Sequence, residues 1–125
     1  MKNPISWFEI YVDNMDRACA FYATMLDVEF TDLLDPSETS LRMKAFPSQM
    51  DAYGASGALV YMADMPAGQN SVLVYFACDD CAVEEARIEG AGGTVIRPKF
   101  AIGDYGFVTL AKDTEGNMFG LHSMA

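Results

Sequence analysis

The chain has 125 residues, of which 51% are hydrophobic and 21% charged, the composition of one globular domain. Eighteen acidic and eight basic residues give a formal net charge of −10, so the protein repels phosphate backbones and anionic membrane surfaces. We therefore expect neither a nucleic-acid partner nor a membrane partner. The same charge favours encounters with cations, including basic small molecules.

The cysteine content and the N-terminal segment indicate a cytoplasmic protein. Residues 1–5 lack the basic and then apolar pattern of a secretory signal. No apolar run approaches the roughly 20 residues that cross a bilayer. Three cysteines, an odd number, argue against a disulfide framework and for a reducing compartment.

The first half of the chain predicts the order β-α-β-β-β. Residues 5–13 (ISWFEIYVD) are apolar or aromatic on both alternating faces, which predicts a strand buried on both sides. Asn14 offers an N-cap to a helix whose apolar side chains recur at helical spacing as far as Asp27. Further strands are predicted at residues 28–34, 41–46 and 58–63, with a turn at 35–38.

The same order returns after a short connector at residues 65–70. A strand at 71–78 is followed by an N-cap from Asp79 or Asp80 and by a helix that ends at the glycines of 90–93. Three more strands are predicted at residues 94–97, 106–111 and 117–123.

A shift of 66 residues superposes the two halves in their pattern of elements, placing Trp7 on Leu73, Glu9 on Tyr75 and Asn14 on Asp80. We therefore expect one α+β domain, residues 1–125, built from βαβββ modules at about 4–64 and 71–125. Two such modules form curved mixed sheets that leave a concave ligand cavity, where the functional site should lie.

Four segments carry a resemblance to a known family: 7–26 (WFEIYVDNMDRACAFYATML), 83–99 (VEEARIEGAGGTVIRPK), 102–117 (IGDYGFVTLAKDTEGN) and 120–123 (GLHS). Together they resemble the vicinal oxygen chelate superfamily, which contains glyoxalase I, bleomycin-resistance proteins and extradiol dioxygenases. The chain is most similar to glyoxalase-like members of unassigned function whose last strand reads G-L-H-S. The resemblance implies paired βαβββ modules, usually assembled as a homodimer.

The same resemblance implies where a metal would bind. Metal-dependent members take His, Glu or Gln ligands from the first strand of each module and from late strands. In this sequence those positions fall on Trp7, Leu73 and Gly120. An indole, an isobutyl group and a hydrogen atom cannot coordinate a divalent ion. We therefore expect no metal at the usual site and no cofactor.

Two residues farther along the same faces, alternation directs Glu9, Tyr75 and His122 into one cavity. A carboxylate, a phenol and an imidazole facing a ligand could move a proton without a metal. Two alternatives remain open for Glu9 and His122. They could pair with each other or with the backbone as buried structural groups, or they could form a shifted metal site.

Several apolar and aromatic residues are predicted to contact a ligand in the concavity. Flat rings and adaptable methionines suit an apolar or aromatic small molecule. The glycine-rich loops 53–57 and 103–106 are expected at the cavity mouth, with a simple turn as the alternative for each. The predicted ligand-binding residues are Trp7, Met43, Leu73, Tyr105, Phe107 and Met118.

Cys78 and Cys81 form a C-x-x-C pattern at a strand-to-helix junction, where a redox pair could sit. The two aspartates between them disfavour thiolates, and zinc would need two further ligands at matching spacing. We favour two structural cysteines.

Three functions remain open from the sequence. The first is binding of a small organic molecule, with or without metal-independent isomerase or lyase chemistry, in which Glu9 is the base and His122 or Tyr75 the proton donor. The second is stoichiometric sequestration of a cationic aromatic toxin. The third is a metal-dependent lyase or dioxygenase with a shifted site at Glu9 and His122.

Overall fold

The computed structural model describes residues 3–33 and 40–125, and the predicted α+β fold of two βαβββ modules is confirmed. The first module contains β1 (Phe8–Tyr11), α1 (Met15–Leu26), β2 (Thr31–Asp32), β3 (Leu41–Ala45) and β4 (Gly57–Met62). The second contains β5 (Tyr75–Ala77), α2 (Cys81–Ile88), β6 (Thr94–Ala101), β7 (Phe107–Lys112) and β8 (Met118–Ser123). A short 3₁₀ turn, Gly103–Tyr105, precedes β7.

Two predicted strands are shorter in the structure than the sequence pattern indicates. The strand predicted at 28–34 is reduced to β2, while residue 34 and the predicted turn at 35–38 lie outside the described residues. The strand predicted at 71–78 is reduced to β5. Residues 71–74 instead follow the connector along the edge of the first cavity described below.

The two sheets have matching strand orders, β1-β4-β3-β2 and β5-β8-β7-β6. In each sheet the first strand pairs parallel with the last, and the remaining pairs are antiparallel. Parallel pairing of the first and last strands requires the helix and two strands between them as the crossover. In each module, the first and last strands are therefore hydrogen-bonded neighbours in the sheet.

Strand β1 is buried on one face only, which corrects the prediction that both faces are buried. Ile10 and Val12 pack into the core, whereas Trp7 is 42% exposed and Glu9 is exposed on the other face. The helices cover one side of the sheets, so the opposite side has no layer over it. The side chains of β1 do alternate between two faces, but the face that carries Trp7 and Glu9 is the open, concave side of the sheet.

Both helices begin at the predicted polar caps. The Asn14 side chain accepts a hydrogen bond from Arg17 N–H, and the Asp80 side chain accepts one from Ala82 N–H. These caps satisfy backbone donors that the first turn of a helix leaves free. In the parts of the chain that the structure describes, no helix is long and apolar enough to cross a membrane.

A cluster of aromatic rings from both modules forms the centre of the core. Tyr22 of α1 is fully buried and packs with its ring centroid 5.7 Å from Phe46 and Phe76 and 5.8 Å from Phe119. Phe46 follows β3, while Phe76 and Phe119 lie on β5 and β8 of the second module. The two modules therefore share one core rather than folding around separate ones.

A buried polar network fastens the second module to the start of α1. Glu115 accepts hydrogen bonds from the Asp13 and Asn14 amides, from two nitrogens of Arg17 and from the Thr114 hydroxyl. Its side chain is 0% exposed, with 2.7 Å between its Oε2 and Arg17 Nε. Burial alone would raise the pKa of Glu115, but the hydrogen bonds from Arg17 and the Asn14 amide hold it below its usual value.

Asp113 belongs to the same network as Glu115, but its pKa is shifted in the opposite direction. Its Oδ2 accepts the Tyr22 hydroxyl at 2.7 Å, and its Oδ1 accepts the amides of Glu115 and Asn117. Burial nevertheless raises the pKa of Asp113 above its usual value, because the hydrogen bonds offset only part of the cost of removing the charge from water. The network joins the turn between β7 and β8 to α1.

Candidate functional site

A cavity of about 760 Å³ opens between β1, the connector and the start of β8. Its size lies within the range of small-molecule pockets, roughly 300–1,000 Å³. We call it the first cavity and define it by Trp7, Glu9, Tyr11, Leu73, Tyr75 and Met118. Glu9 is the only charged side chain among the described residues that line it.

Two residues close in sequence, one just before β1 and one at its end, hold the Glu9 carboxylate. The Trp7 indole N–H donates to Oε2 at 3.3 Å, and the Tyr11 hydroxyl donates to Oε1 at 3.0 Å. All three side chains share the concave face because a strand alternates with a period of two. The hydrogen bond to Glu9 is the main cause that raises the pKa of Tyr11, followed by burial. Tyr11 therefore acts as a donor that orients the carboxylate.

A second cavity of about 550 Å³ lies on the concave face of the second sheet. It is defined by Tyr53, Tyr75, Phe100, Val108, Leu110 and His122. His122 Nε2 lies 2.7 Å from the Tyr105 carbonyl oxygen. Since a carbonyl only accepts hydrogen bonds, Nε2 is the protonated nitrogen of the ring.

The structure does not bring Glu9 and His122 together, which corrects the prediction of one shared cavity. Glu9 lines the first cavity and His122 the second, and Tyr75 lines both. Tyr75 pairs with Gly120 across the β5–β8 ladder, and a Cβ atom on Gly120 would lie 2.4 Å from the Tyr75 ring. The ring thus rests against Gly120 and stands between the two cavities.

The sequence profile of the Glyoxalase/Bleomycin resistance protein/Dioxygenase superfamily matches residues 4–121. The chain belongs to this superfamily. No curated protein matches it in sequence. The glyoxalase superfamily assignment agrees with the paired modules and with the concave face that they share.

Solved structures of the glyoxalase superfamily share the fold at low sequence identity. Maize glyoxalase I has a TM-score of 0.75 and 19% identity, covering 95% of this chain and 44% of its own. The chain thus spans somewhat less than half of that enzyme. TnmS3, an antibiotic binding protein from a Streptomyces species, has a TM-score of 0.66 and 24% identity over 99% of this chain and 98% of its own. A glyoxylase/bleomycin resistance protein/dioxygenase domain from a Frankia species has a TM-score of 0.71 and 14% identity, covering 98% of each chain.

Trp7, Leu73 and Gly120, where the resemblance implies metal ligands, carry no side chain that could coordinate a metal ion. Trp7 and Leu73 line the first cavity without a coordinating oxygen or imidazole nitrogen. Gly120 has no side chain, and the Tyr75 ring occupies the space where one would project. Among the residues that the structure describes, no three His, Cys, Asp or Glu side chains converge as a metal-binding group. Glu9 is a single potential ligand.

The predicted ligand-binding residues divide into two groups. Trp7, Leu73 and Met118 line the first cavity. Met43, Tyr105 and Phe107 line neither cavity.

The β7–β8 register explains the position of Phe107. Val108 pairs with His122 and faces the second cavity, so the neighbouring Phe107 points to the opposite, helix-covered side. There Lys99 Nζ lies 4.6 Å from the centre of the Phe107 ring. The carbonyl oxygen of Tyr105 accepts the hydrogen bond from His122, and the residue as a whole is 76% exposed.

Sequence reasoning missed several residues of the two cavities. Alternation places Tyr11 on the same face as Trp7 and Glu9, but Tyr11 is not among the predicted site residues. Leu110 could have been found in the same way from Val108 once the phase of β7 was known. Tyr53 lies in the glycine-rich loop 53–57, which was expected at the cavity mouth, and it lines the second cavity. Phe100 carries no comparable signal, because it reaches the second cavity from β6.

The surroundings of Cys78 and Cys81 favour a structural role for the C-x-x-C pair. Burial is the main cause that raises the pKa of Cys78 to about 12, with Glu84 adding to it. Cys81 is buried at the start of α2, with its sulfur 3.6 Å from the Thr109 hydroxyl oxygen. A thiol with so high a pKa supplies almost no thiolate near neutral pH, which argues against redox or metal chemistry at this pair.

Proposed function

We propose that this superfamily member binds a small, flat, positively charged aromatic molecule in the first cavity and holds it without chemical change. The observation that supports this is the Glu9 carboxylate, fixed by Trp7 and Tyr11 within an aromatic and apolar wall. A cation above aromatic rings gains from their negative faces, and the Glu9 carboxylate adds direct attraction. The net charge of −10 favours encounter with the same class of ligand.

Sequestration is favoured over acid–base catalysis by Glu9 and His122 because these two groups line different cavities. Since His122 lines the second cavity, a ligand in the first cavity has no imidazole among the residues that line its site. TnmS3, whose fold this chain shares, is named as an antibiotic binding protein. A binding role for this chain is consistent with that likeness.

A metal-independent isomerase or lyase is the second candidate. Glu9 and Tyr75 line one cavity, so a base and a phenolic donor are available to a single ligand. In this alternative Glu9 removes a proton next to a carbonyl group and Tyr75 donates one. Product formation from a carbonyl compound bound in the first cavity would favour it over sequestration.

We also propose that the protein acts as a homodimer in a reducing cytoplasm. Large apolar side chains such as Ile5, Val72 and Tyr75 are exposed around the first cavity, and a second copy could cover them. The three free cysteines are consistent with a reducing compartment. Light scattering of the purified chain measures the oligomeric state directly.

The test of sequestration uses proflavine, a cationic tricyclic dye, and acridine, its uncharged parent. Trp7 is the only tryptophan and lines the first cavity, so quenching of its fluorescence reports binding there. We expect proflavine to bind and to weaken as salt is added, because screening reduces charge attraction. Glu9→Gln should weaken proflavine about tenfold, the loss of one charge-assisted contact, and leave acridine unchanged.

Lys99→Gln is a control that alters charge away from the first cavity and should leave proflavine affinity unchanged. Mass spectrometry of the recovered dye should show it unaltered. Equal loss of proflavine and acridine in Glu9→Gln, or salt-insensitive proflavine binding, would contradict a site selective for cations.

A further inference from the structure

We propose that the second cavity is a separate binding site for a neutral aromatic molecule carrying a hydroxyl donor, such as a phenol, and that His122 Nδ1 accepts its hydrogen bond. The proposal goes beyond sequestration in the first cavity and does not depend on it. It rests on the fixed orientation of the histidine ring, on the wall of the second cavity and on the ring that separates the two cavities.

The first step is the tautomer of His122. Nε2 donates to the Tyr105 carbonyl oxygen over 2.7 Å, so the neutral ring carries its hydrogen on Nε2 and presents Nδ1 as an acceptor. Within the described residues no donor reaches Nδ1. The neutral imidazole therefore has one tautomer, with Nδ1 as its acceptor.

The second step is the turn that holds the Tyr105 carbonyl. Gly106 has φ of +98°, and a Cβ atom there would lie 2.3 Å from the Ser123 carbonyl oxygen. Only glycine allows this left-handed conformation and this close approach without strain. The Ile102 amide donates to the Gly106 carbonyl oxygen at 2.9 Å and closes the turn. The partner of His122 is thus positioned by the backbone before any ligand binds.

The third step is the composition of the wall. Phe100, Val108 and Leu110 supply an apolar floor, with Tyr53 and Tyr75 as aromatic sides. Among the described residues that line the second cavity, none is Asp, Glu, Lys or Arg. Such a wall has no negative charge to attract a cation, and the His122 Nδ1 acceptor favours a ligand with one hydrogen-bond donor.

The fourth step is the separation from Glu9. The Tyr75 ring rests against Gly120 and lines both cavities, so a ligand in the second cavity meets Tyr75 rather than the carboxylate. Two ligands of different charge can therefore bind side by side. The first cavity selects for positive charge and the second for a neutral hydroxyl group.

The test compares β-naphthol with its methyl ether, which has the same ring system but no donor. Calorimetry near pH 8 should find naphthol bound about fivefold more tightly than the ether, the value of one neutral hydrogen bond. His122→Phe should abolish this preference by weakening naphthol alone, while His122→Gln, which retains an acceptor oxygen, should keep part of it. Saturating proflavine should leave the affinity for naphthol unchanged.

The wild-type protein provides a readout that does not depend on any variant. His122 is the only histidine, so proton–nitrogen correlation spectra of the imidazole report its tautomer without overlap. We expect hydrogen on Nε2 in the free protein and a shift of the Nδ1 resonance with naphthol but not with the ether. Equal affinity for the two compounds, no binding of naphthol, displacement of naphthol by proflavine, or hydrogen on Nδ1 would overturn the proposal.

The proposals for the two cavities can be refuted separately. Glu9→Gln should leave naphthol binding unchanged, and His122→Phe should leave proflavine binding unchanged. Loss of proflavine selectivity with naphthol binding intact removes the proposed sequestration only, and the converse removes the second site only.

Discussion

Glu115 and Glu9 are both carboxylates held by hydrogen bonds, but their partners come from different distances along the chain. Glu115 accepts from the amides of Asp13 and Asn14, more than 100 residues away, and its side chain is fully buried. Among the described residues, Glu9 accepts only from Trp7 and Tyr11, each two positions away in sequence, and it is exposed to the first cavity. A carboxylate that accepts from distant segments fastens the fold, whereas one held by its own strand can serve a ligand.

The largest effect expected from this contrast is on stability. Glu115→Ala leaves two backbone amides and the Arg17 guanidinium without their acceptor, which should lower the free energy of unfolding by about 3 kcal/mol. Glu9→Ala is the matched control and should change it by less than about 0.5 kcal/mol, as exposed positions do. Urea unfolding measures both values, and similar losses in the two variants would contradict the contrast.

A smaller effect is expected in the pH dependence of stability. The folded pKa of Glu115 lies below its unfolded value, so its contribution is present above about pH 4 and is lost as the pH falls through the folded pKa. The folded pKa of Asp113 lies above its unfolded value, so its ionised form costs stability as the pH rises through that range. The two contributions have opposite signs on the acid side.

Substitutions should separate these two contributions. Asp113→Asn removes the opposing one, so its stability should fall more steeply on acidification than that of the wild type. Glu115→Gln should fall less steeply. Urea midpoints at several acid pH values test this, and parallel curves for all three proteins would refute the assignment.

The smallest effect concerns the Tyr11 hydroxyl. Its hydrogen bond to Glu9 is the main cause of its raised pKa, so Glu9→Gln should bring that pKa back toward the ordinary value of about 10. Carbon NMR of the labelled tyrosine ring follows the ionisation of each hydroxyl separately. Tyr22, whose pKa is raised mainly by burial and by Asp113, is the internal control and should not move. An unchanged Tyr11 would mean that Glu9 is not its acceptor.

The repeated architecture could be predicted because local signals specify it. Asn14 and Asp80 cap their helices as expected, since a polar side chain before an apolar helical pattern satisfies the first-turn amides whatever else the chain does. Alternation also correctly gave the face shared by Trp7 and Glu9. It could not say that this face is open, because burial depends on whether another layer covers the sheet.

The sequence by itself determined the two βαβββ modules, their helix caps and the presence of Glu9 on the concave face, because periods of 3.6 and 2 are properties of each segment. Only the tertiary structure decided that Glu9 and His122 face different cavities. Strand register places His122 beside Ala77 and Tyr75 beside Gly120. The Tyr75 ring rests against Gly120 and lies between the two cavities. A side-chain period fixes a face but not a position across the sheet, and the pairing that fixes position is made by residues far apart in sequence.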